Sequence, residues 1–561
     1  MGVPDPHLGY RRGASRPYPD VMSDGRYDAI VVGGGHNGLV AAAYLAKRGA
    51  RTLVLEARHK TGGAADTMRP WPDAPEFQVT TLSYVMSLMP DTILRDLELE
   101  RHGYRSIPTG PYFVPFPDGR YIIQHDDPAQ NYEEFAKFSK KDADALERWE
   151  AWIGGLADVL GPLLMTTPPR LGSHRIGDLA EQLKTAWRFR GLDVQGVADV
   201  TRLMTMSIVD ILDRFFENEH VKTVMALDGL IGTWAGPNEP GTGYVMAHHS
   251  IGDVGNGQVG AWATVVGGMG AVAAALEASA RSFGAEIRLE APVERIVVAN
   301  ERVRGVALAS GEEIAAPIVV AATHPQITFL RQLDASELPD RFVDDIRNWK
   351  SRSGTVKINL ALDRAPVFTA KPDQTDLTGG FELAHSIDYL ERAFEEARNG
   401  RAATAPFSDG NMPTYADPTL APEGKHIVSL FTQWCPAEWA DDPDDVELEA
   451  YADRVIAGYD ELAPGFADSV LHRQVLGPHE MQEGWGLVGG NIFHGELSAE
   501  QLFHMRPAPG FADYRTPIAG LYQCSSATHA GGGVTGIPAY NCVREIVADR
   551  RRSTRRIRIT R

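Results

Sequence analysis

A glycine-rich loop near the start of the chain has the spacing of a diphosphate-binding turn. Residues 33–38 read Gly-Gly-Gly-His-Asn-Gly between two apolar stretches. In this G-x-G-x-x-G pattern, Gly33 permits a tight turn, Gly35 lets the backbone approach a pyrophosphate, and Gly38 lets a helix pack closely on a strand. Free N–H groups at the start of that helix favour an anion. The residues predicted to bind the anion are Gly33, Gly35, His36, Asn37 and Gly38.

An acidic residue follows where a dinucleotide site needs one. The apolar stretch 51–55 predicts a second strand, and Glu56 stands at its end, at the position of the acid that binds a ribose hydroxyl. The predicted elements follow the order of a dinucleotide site: a strand, the glycine loop, a helix, a second strand and the acid at its end. An isolated glycine cluster would lack these flanking elements. The segment therefore predicts a Rossmann-type dinucleotide site.

The residues after Glu56 favour FAD over NAD. They read ARHKTGGAA, with an arginine shortly before a glycine pair. NAD domains do not need this element, whereas it resembles the second signature of flavoproteins such as amine oxidases and phytoene desaturases, in which the glycine pair approaches the FAD diphosphate and flavin. The resemblance adds Ala57, Arg58, Gly62, Gly63 and Ala64 to the predicted cofactor contacts.

The stretch 264–323 returns the chain to the same domain. An alanine-rich helix is predicted first, followed by strands over 286–289, 293–298 and 303–309, which we interpret as a β-meander. The uniformly apolar run 318–322 predicts a strand buried on both faces of a parallel sheet. The middle of the chain thus supplies a second piece of the cofactor domain.

A second glycine triplet lies close to the C-terminus, at 531–533. A short strand over 521–523 is predicted before it, and a helix from about residue 536 to 548 after it. No acid follows at ribose distance, and too few residues remain for another dinucleotide domain. The triplet is therefore predicted to complete the first site.

Composition indicates a large folded protein that does not bind nucleic acid. The 561 residues are enough for two or more domains, and the apolar fraction of 43% is ordinary for a globular chain. A net charge of -19 argues against nucleic-acid partners, which require clustered basic residues. No metal site is predicted, because His248 and His249 lack further ligands at suitable spacing.

The predicted fold class is α/β, with a discontinuous Rossmann-type FAD-binding domain that includes a β-meander and a mixed α+β substrate or cap domain. The predicted segments are 1–26 as a flexible leader, 27–85, 255–330 and 500–549 as the three FAD-binding parts, 86–254 and 331–499 as the two cap parts, and 550–561 as a basic tail.

Two segments suggest contact with a membrane surface. The tail carries seven arginines and no acid, which suits an anionic membrane surface or an acidic partner, although a solvated helix end is the alternative. An apolar stripe over 203–216 is interpreted as core, with a substrate wall or a membrane-dipping face as alternatives. We expect a cytoplasmic protein, peripheral to a membrane if these segments bind one, or a mitochondrial-matrix protein in a eukaryote. The oligomeric state is left open.

Nearly the whole chain resembles the phytoene desaturase-like flavoproteins. The matching motifs are GGGHNGLVAAAYLA, YVMSLMPDTILRDLEL, GGMGAV, THPQITFL, DPTLAPEGKHIVSLFTQW, GLVGGNIFHGELS and GLYQCSSATHAGGGVTGIPAYN. Within that family, the chain is most similar to a branch named for a pyridine nucleotide-disulphide oxidoreductase domain. The resemblance implies that Val293 meets the adenine and that Gly532, Gly533 and Val534 touch the isoalloxazine ring.

Disulphide chemistry, which the name of that branch suggests, is excluded. It requires a pair of reactive thiols and a route from NAD(P)H. The three cysteines, Cys435, Cys524 and Cys542, form no C-x-x-C pair, and no second dinucleotide loop is present.

The resemblance implies an FAD-dependent oxidoreductase of the desaturase or dehydrogenase type. It would move hydride between an apolar organic substrate (isoprenoid, lipid or aromatic) and flavin N5, with oxygen or quinone as acceptor. The alternatives are an amine oxidase-like enzyme, a redox-neutral flavin isomerase, and a non-catalytic FAD-binding or prenyl-lipid-binding protein on the same scaffold. The intact glycine motifs favour an enzyme.

His529 is the candidate catalytic residue. It is the readily ionisable side chain of the final motif, so it would exchange the proton that accompanies hydride transfer. The alternative is a structural role, in which the ring hydrogen-bonds the backbone and shapes the loop. Ala530 stands where desaturases often carry a proline, so this motif does not identify the substrate.

Overall fold

The computed structural model describes residues 27–174, 176–250, 262–375 and 377–559, with side chains up to Arg552. The predicted leader, the predicted boundary at 254/255 and the last two residues of the basic tail lie outside these ranges. Within them, no helix has both the length and the apolar composition needed to cross a bilayer.

A five-stranded parallel sheet forms the first layer. Its strand order is Leu521–Gln523, Val319–Ala321, Ala29–Val32, Thr52–Leu55 and Glu286–Arg288. The central strand, Ala29–Val32, is apolar and buried at all four positions, as expected of a parallel strand covered on both faces. The α/β class predicted from the sequence is confirmed.

The β-meander prediction was wrong by one strand. Glu286–Arg288 pairs in parallel with Thr52–Leu55 and is an edge of the main sheet. The meander consists instead of Val293–Ala299, Arg302–Leu308 and Glu313–Ala315, paired antiparallel in chain order. Alternation of apolar residues identified the strands, but the path of the chain between them determines their partners.

Three helices pack together beside the parallel sheet. His36–Lys47 contacts both Gly270–Ser282 and Ile537–Ile559. Its consecutive alanines 41–43 are fully buried, because small side chains let the neighbouring helices approach closely. The C-terminal helix extends well past its predicted end near residue 548.

A seven-stranded sheet forms the second layer. Its order is Val470–Leu476, Thr355–Leu362, His426–Gln433, Phe407–Asn411, Gly380–Leu383, Tyr112–Pro115 and Tyr121–Gln124. Neighbours are antiparallel except for the parallel pair Gly380–Leu383 with Tyr112–Pro115. Thr355–Leu362 is buried at all eight positions, although it carries a lysine and an asparagine.

The remaining elements connect and cover these layers. Two small antiparallel pairs are Thr67–Met68 with Val79–Thr80 and Ser106–Pro108 with Ala263–Val265. The other α-helices are Asp91–Asp96, Pro128–Ala136, Lys140–Leu164, Ile176–Arg188, Val194–Thr205, Ile208–Leu212, Glu219–Ala226, Thr242–Ser250, Pro325–Leu330, Asp340–Arg347, Ile387–Arg398, Asp445–Leu462, Phe466–Ser469 and Pro478–Trp485. The apolar stripe over 203–216 belongs to the core, where Leu203, Ile208, Ile211 and Leu212 are fully buried.

Candidate active site

Residues 33–38 and the glycine pair 62–63 lie against each other, and we call the backbone surface that they form the glycine cradle. The N–H of Gly62 donates a hydrogen bond to the carbonyl of Gly34 at 2.9 Å, and Gly35 pairs with Gly62 as an isolated bridge. Gly33 has φ +97°, a conformation that suits glycine. A Cβ at Gly38 would overlap the carbonyl oxygen of Gly33. The close backbone approach therefore depends on the absence of side chains.

The helix that starts at this cradle has an open N-terminus. Gly35 caps His36–Lys47 without a side-chain hydrogen bond, so the first N–H groups of the helix are available to an anion. His36 Nε2 and Asn37 Oδ1 are buried and have no partner within the described ranges. Burial also lowers the pKa of His36 to about 4, so its ring is neutral at pH 7.

Glu56 is held against the same cradle. Its carboxylate accepts hydrogen bonds from the N–H of Gly34 at 2.6 Å and from the N–H of Arg58 at 2.9 Å. The Arg58 guanidinium pairs with Asp66 at 3.0 Å and lies 5.2 Å from the ring centre of Trp485. Glu56 thus keeps lone pairs for a further hydrogen bond, while Arg58 links this loop to the helix Pro478–Trp485.

A cavity of ≈ 450 Å³ opens along this cradle, and we call it the flavin cavity. The predicted cofactor contacts that line it are Gly33, Gly35, His36, Asn37, Gly38, Glu56, Ala57, Arg58, Gly63, Ala64, Val293, Gly533 and Val534. Gly62 and Gly532 lie just behind its wall, Gly62 paired with Gly35 and Gly532 packed on Phe493. The fold therefore brings residues from three distant segments around one space.

His529 does not line this cavity. Its Nε2 donates a hydrogen bond to the Leu163 carbonyl at 3.0 Å, and its ring lies 5.8 Å from that of Phe503. Burial lowers the pKa of His529 to about 4. The predicted role in proton transfer has no geometric support here, whereas the structural alternative fits these contacts.

Lys357 is a wall residue that sequence reasoning missed. It lines the cavity, and its Nζ donates hydrogen bonds to Asn359 Oδ1 at 2.7 Å and Ser429 Oγ at 2.6 Å. Burial lowers the pKa of Lys357 to about 7. The signal in the sequence was a lysine and an asparagine two residues apart in an otherwise apolar strand, which places both on one buried face.

The wall near Lys357 is largely apolar. Tyr84 and Phe431 stack with ring centres 6.1 Å apart, and Trp262 and Ile231 continue the same wall. From the other side, Trp485, Leu487, Ile492, Phe493 and His494 line the cavity. These residues form a largely apolar compartment beside the glycine cradle.

The structure brings two of the three cysteines, Cys524 and Cys542, into hydrogen-bonding contact. Cys435, Cys524 and Cys542 are all free and buried. Burial raises the pKa of both Cys435 and Cys542, so these thiols are not activated.

Comparison with known proteins identifies the family. The flavin containing amine oxidoreductase family matches residues 38–536. Pyridine nucleotide-disulfide oxidoreductase domain-containing protein 2 of Rattus norvegicus is 39% identical over 550 residues, which cover 93% of this chain and 94% of that protein. An oxidoreductase from Methanosarcina mazei has a similar fold, with a TM-score of 0.59 and 16% identity over 93% of this chain and 99% of the other.

More distant relatives have names that specify reactions. One of the subunits of limonene dehydrogenase from Castellaniella defragrans is 25% identical, covering 93% of this chain and 94% of that protein. Prolycopene isomerase 1 of an Oncidium hybrid cultivar is also 25% identical, covering 93% of this chain and 84% of that protein. The resemblance to the phytoene desaturase-like flavoproteins is therefore confirmed.

The residues present fit the cofactor that the family implies. A diphosphate fits the glycine cradle and the open N-terminus of the helix, where polar atoms lack partners. A ribose hydroxyl fits the free lone pairs of Glu56. The match covers this cradle from Gly38 onward and reaches the C-terminal glycines. The chain therefore belongs to the flavin-containing amine oxidoreductase family, with FAD as its cofactor.

Proposed function

We propose that this protein is an FAD-dependent dehydrogenase or desaturase that oxidises an apolar organic substrate (an isoprenoid, lipid or aromatic) and passes electrons to oxygen or a quinone. The observation that carries this proposal is the apolar compartment around Tyr84 and Phe431, which shares one cavity with the glycine cradle. A substrate in that compartment is shielded from water next to the cofactor.

Bound FAD supplies a two-electron acceptor for hydride at N5 of the flavin. The cradle residues and Glu56 would hold its diphosphate and ribose, and Gly533 and Val534 would lie at its flavin end. The aromatic wall orients the substrate. Lys357 is our candidate for the group that exchanges a proton with the substrate, because a pKa of about 7 lets its amine gain or lose a proton near neutral pH.

The names of two relatives support the reaction class. The limonene dehydrogenase relative favours dehydrogenation. Prolycopene isomerase favours a redox-neutral isomerase as the second candidate. The two reactions differ in outcome, because a dehydrogenase bleaches the flavin without oxygen and yields a product two mass units lighter, whereas an isomerase leaves product mass unchanged.

The test is anaerobic incubation of the flavin-loaded protein with candidate isoprenoids, lipids, aromatics and amines while the flavin absorbance is recorded. Bleaching by an apolar compound, with a desaturated product by mass spectrometry, is the expected result. Release of ammonia and an aldehyde from an amine would instead assign an amine oxidase. Protein that cannot take up FAD would leave only the prenyl-lipid-binding alternative.

We also propose that the helix Ile176–Arg188 binds a membrane surface. Its side chains Ile176, Leu183 and Trp187 are 88%, 71% and 62% exposed, and their spacing places them on one face of the helix. A tryptophan at the end of an exposed apolar face suits the boundary between lipid and water. Arg188 adds a basic group at the same end.

Contacts connect this helix to the basic C-terminal helix. Arg188 donates a hydrogen bond to Thr166 Oγ1 at 2.8 Å. Thr167, the neighbour of Thr166 in the chain, donates one at 2.7 Å to Glu545 of the C-terminal helix. Arginines 550–552 on that helix are exposed. An apolar face beside a basic helix matches an anionic lipid surface.

A further inference from the structure

Arg506 is a fully buried arginine that forms no ion pair within the described part of the chain. Its side chain is 1% exposed, and the ring centre of Trp349 lies 5.2 Å from its Cζ. The guanidinium donates hydrogen bonds to the backbone carbonyls of Phe493 (2.9 Å), Ser526 (3.0 Å), Gln501 (3.2 Å) and Glu496 (3.4 Å). Carbonyl oxygens satisfy the donors, but they carry no full negative charge. The positive charge is therefore uncompensated.

A buried charge without a counter-charge is costly, because the protein interior solvates it less well than water does. Burial lowers the pKa of Arg506 to about 10, so the guanidinium is still charged at pH 7. Its Nε is also buried and has no partner within the described ranges. An anion bound nearby would offset this cost.

Arg506 lies directly behind the wall of the flavin cavity. Phe493 and Ser526, whose carbonyls it contacts, both line that cavity. The Ser526 hydroxyl accepts a hydrogen bond at 3.2 Å from Nδ2 of Asn37, which belongs to the glycine cradle. Asn37 is also in the first turn of the helix His36–Lys47, whose N-terminus is open to an anion. Ser526 thus connects Arg506 to the anion-binding end of the cavity.

The charge of Arg506 acts on groups in the cavity wall. His324 and His494 both line the cavity. Burial is the main cause that lowers the pKa of each ring, and the charge of Arg506 lowers both further. A charge that disfavours protonation of these rings also favours a negative charge in the space beside them.

The diphosphate is the anionic group of the cofactor that fits this end of the cavity. FAD carries its negative charge on its two phosphates, and a dinucleotide places them at the glycine loop and the helix N-terminus. Three buried polar atoms there have no partner in the described residues, namely His36 Nε2, Asn37 Oδ1 and His494 Nδ1. Arg58 also lines the cavity, but its guanidinium pairs with Asp66 at 3.0 Å.

We propose that Arg506 supplies the counter-charge of the FAD diphosphate from behind the wall that Phe493 and Ser526 form. Its charge favours a flavin that carries the diphosphate over a flavin that lacks it. Arg506 is a positioning residue, because it acts on the cofactor through this wall. The proposal involves the cofactor and no particular substrate, so it does not depend on the reaction proposed above.

The experiment compares FAD with riboflavin, which has the same ring system and no phosphate. Dissociation constants for the full-length protein depleted of flavin are measured by flavin fluorescence at mildly acidic pH. Arg506→Met removes the charge and keeps the length of the side chain. We expect FAD to bind at least about tenfold more weakly and riboflavin to change by less than about threefold, because the lost Coulomb interaction involves only the phosphates. Unchanged FAD affinity, or equal weakening of both flavins, would overturn the proposal.

Arg506→Lys separates the charge from the hydrogen bonds. Lysine keeps a positive charge, and the acidic pH keeps it protonated when buried, but its ammonium cannot reproduce the planar fork of the guanidinium. We expect a lower free energy of unfolding and an FAD dissociation constant within about threefold of the wild type. A tenfold loss of FAD affinity in folded Arg506→Lys would contradict the proposal, even if Arg506→Met does not fold.

Arg515→Met is the matched control for the loss of one positive charge. Arg515 lies in the same C-terminal segment, but its guanidinium pairs with Asp513 at 2.7 Å and with Glu545 and Asp549 at 2.8 Å. It is not among the described residues that line the flavin cavity. We expect lower stability with an unchanged ratio of the FAD and riboflavin dissociation constants. A change in that ratio as large as in Arg506→Met would remove the assignment to Arg506. None of these measurements involves turnover, so their outcome is separate from that of the proposed reaction.

Discussion

The carboxylate of Glu56 accepts a hydrogen bond from the Gly34 backbone N–H at 2.6 Å. The two residues come from the end of one parallel strand and the loop after its neighbour, which the pairing of Ala29–Val32 with Thr52–Leu55 brings together. Glu56 is 8% exposed, and it lines the flavin cavity. The loop thereby fixes the carboxylate at the wall of this cavity.

Glu56→Gln should weaken FAD binding. The substitution keeps the size of the side chain but replaces a charged acceptor by a neutral one, which costs about 1.5–3 kcal/mol per lost charge-assisted hydrogen bond. We expect an FAD dissociation constant raised about tenfold to a hundredfold, measured by reconstitution of the apoprotein. Retention of FAD at wild-type affinity would show that Glu56 does not contact the cofactor.

Gly38→Ala should disrupt the cradle. The added Cβ would overlap the Gly33 carbonyl, so the helix must shift away from the strand. Overpacking of this kind costs about 1–3 kcal/mol in the free energy of unfolding, and FAD content should fall with it. Gly154→Ala is the matched control, because that glycine lies in Lys140–Leu164 with open space around it, and the change should be neutral or stabilising.

Lys357→Met should change how stability depends on pH. The pKa of Lys357 is lowered from 10.5 to about 7 in the folded protein, so between these values the unfolded chain binds more protons at this residue than the folded one. Its contribution to the free energy of unfolding is therefore fully present above pH 10.5 and is lost progressively as the pH falls towards 7.

The measurement is denaturant unfolding of wild type and Lys357→Met at several pH values from 7 to 10.5. The wild type should gain stability relative to the variant as the pH rises through this range. A constant difference would show that the amine is not buried in the neutral form.

His529→Ala should affect stability more than catalysis. The Leu163 carbonyl loses its donor, which costs about 1–3 kcal/mol when the group stays buried. We expect a lower free energy of unfolding, with the rate of flavin reduction by any active substrate changed less than about threefold. A loss of about a hundredfold or more in that rate at unchanged stability would instead return His529 to proton transfer.

Trp187→Ser with Leu183→Ser should weaken membrane binding. The two side chains are exposed on one face, so removing them takes away apolar area without disturbing the core. We expect at least a fivefold loss of binding to vesicles of phosphatidylcholine with phosphatidylglycerol, in a sedimentation assay. Val446→Ser, which removes an exposed valine elsewhere, should have no effect.

Removal of residues 550–561 tests the basic helix separately. We expect it to abolish the salt-sensitive part of vesicle binding and to leave the apolar part. Dimers in analytical ultracentrifugation that the Trp187 and Leu183 substitutions dissociate would assign the apolar face to self-association and contradict the membrane proposal.

Local patterns determined the cofactor half of this protein. Gly33 and Gly38 could be predicted as cradle residues from the sequence, because close backbone approach depends on which positions lack a side chain. Glu56 could be predicted because it stands at the end of an apolar strand. Strand positions followed from apolar runs for the same local reason. The division of the chain into cap and cofactor segments remains a prediction at its boundaries.

Tertiary structure decided which ionisable side chains lie at the flavin cavity. His529 lies in the motif that contributes Gly533, yet its ring turns to Leu163, whereas Lys357 reaches the flavin cavity from a strand of the other layer. Arg506 lies behind the cavity wall only because the chain folds back on both sides of it. The sequence pattern shows which residues lie on the same face of a helix or strand. The surface against which that face packs depends on segments that are hundreds of residues away in the chain.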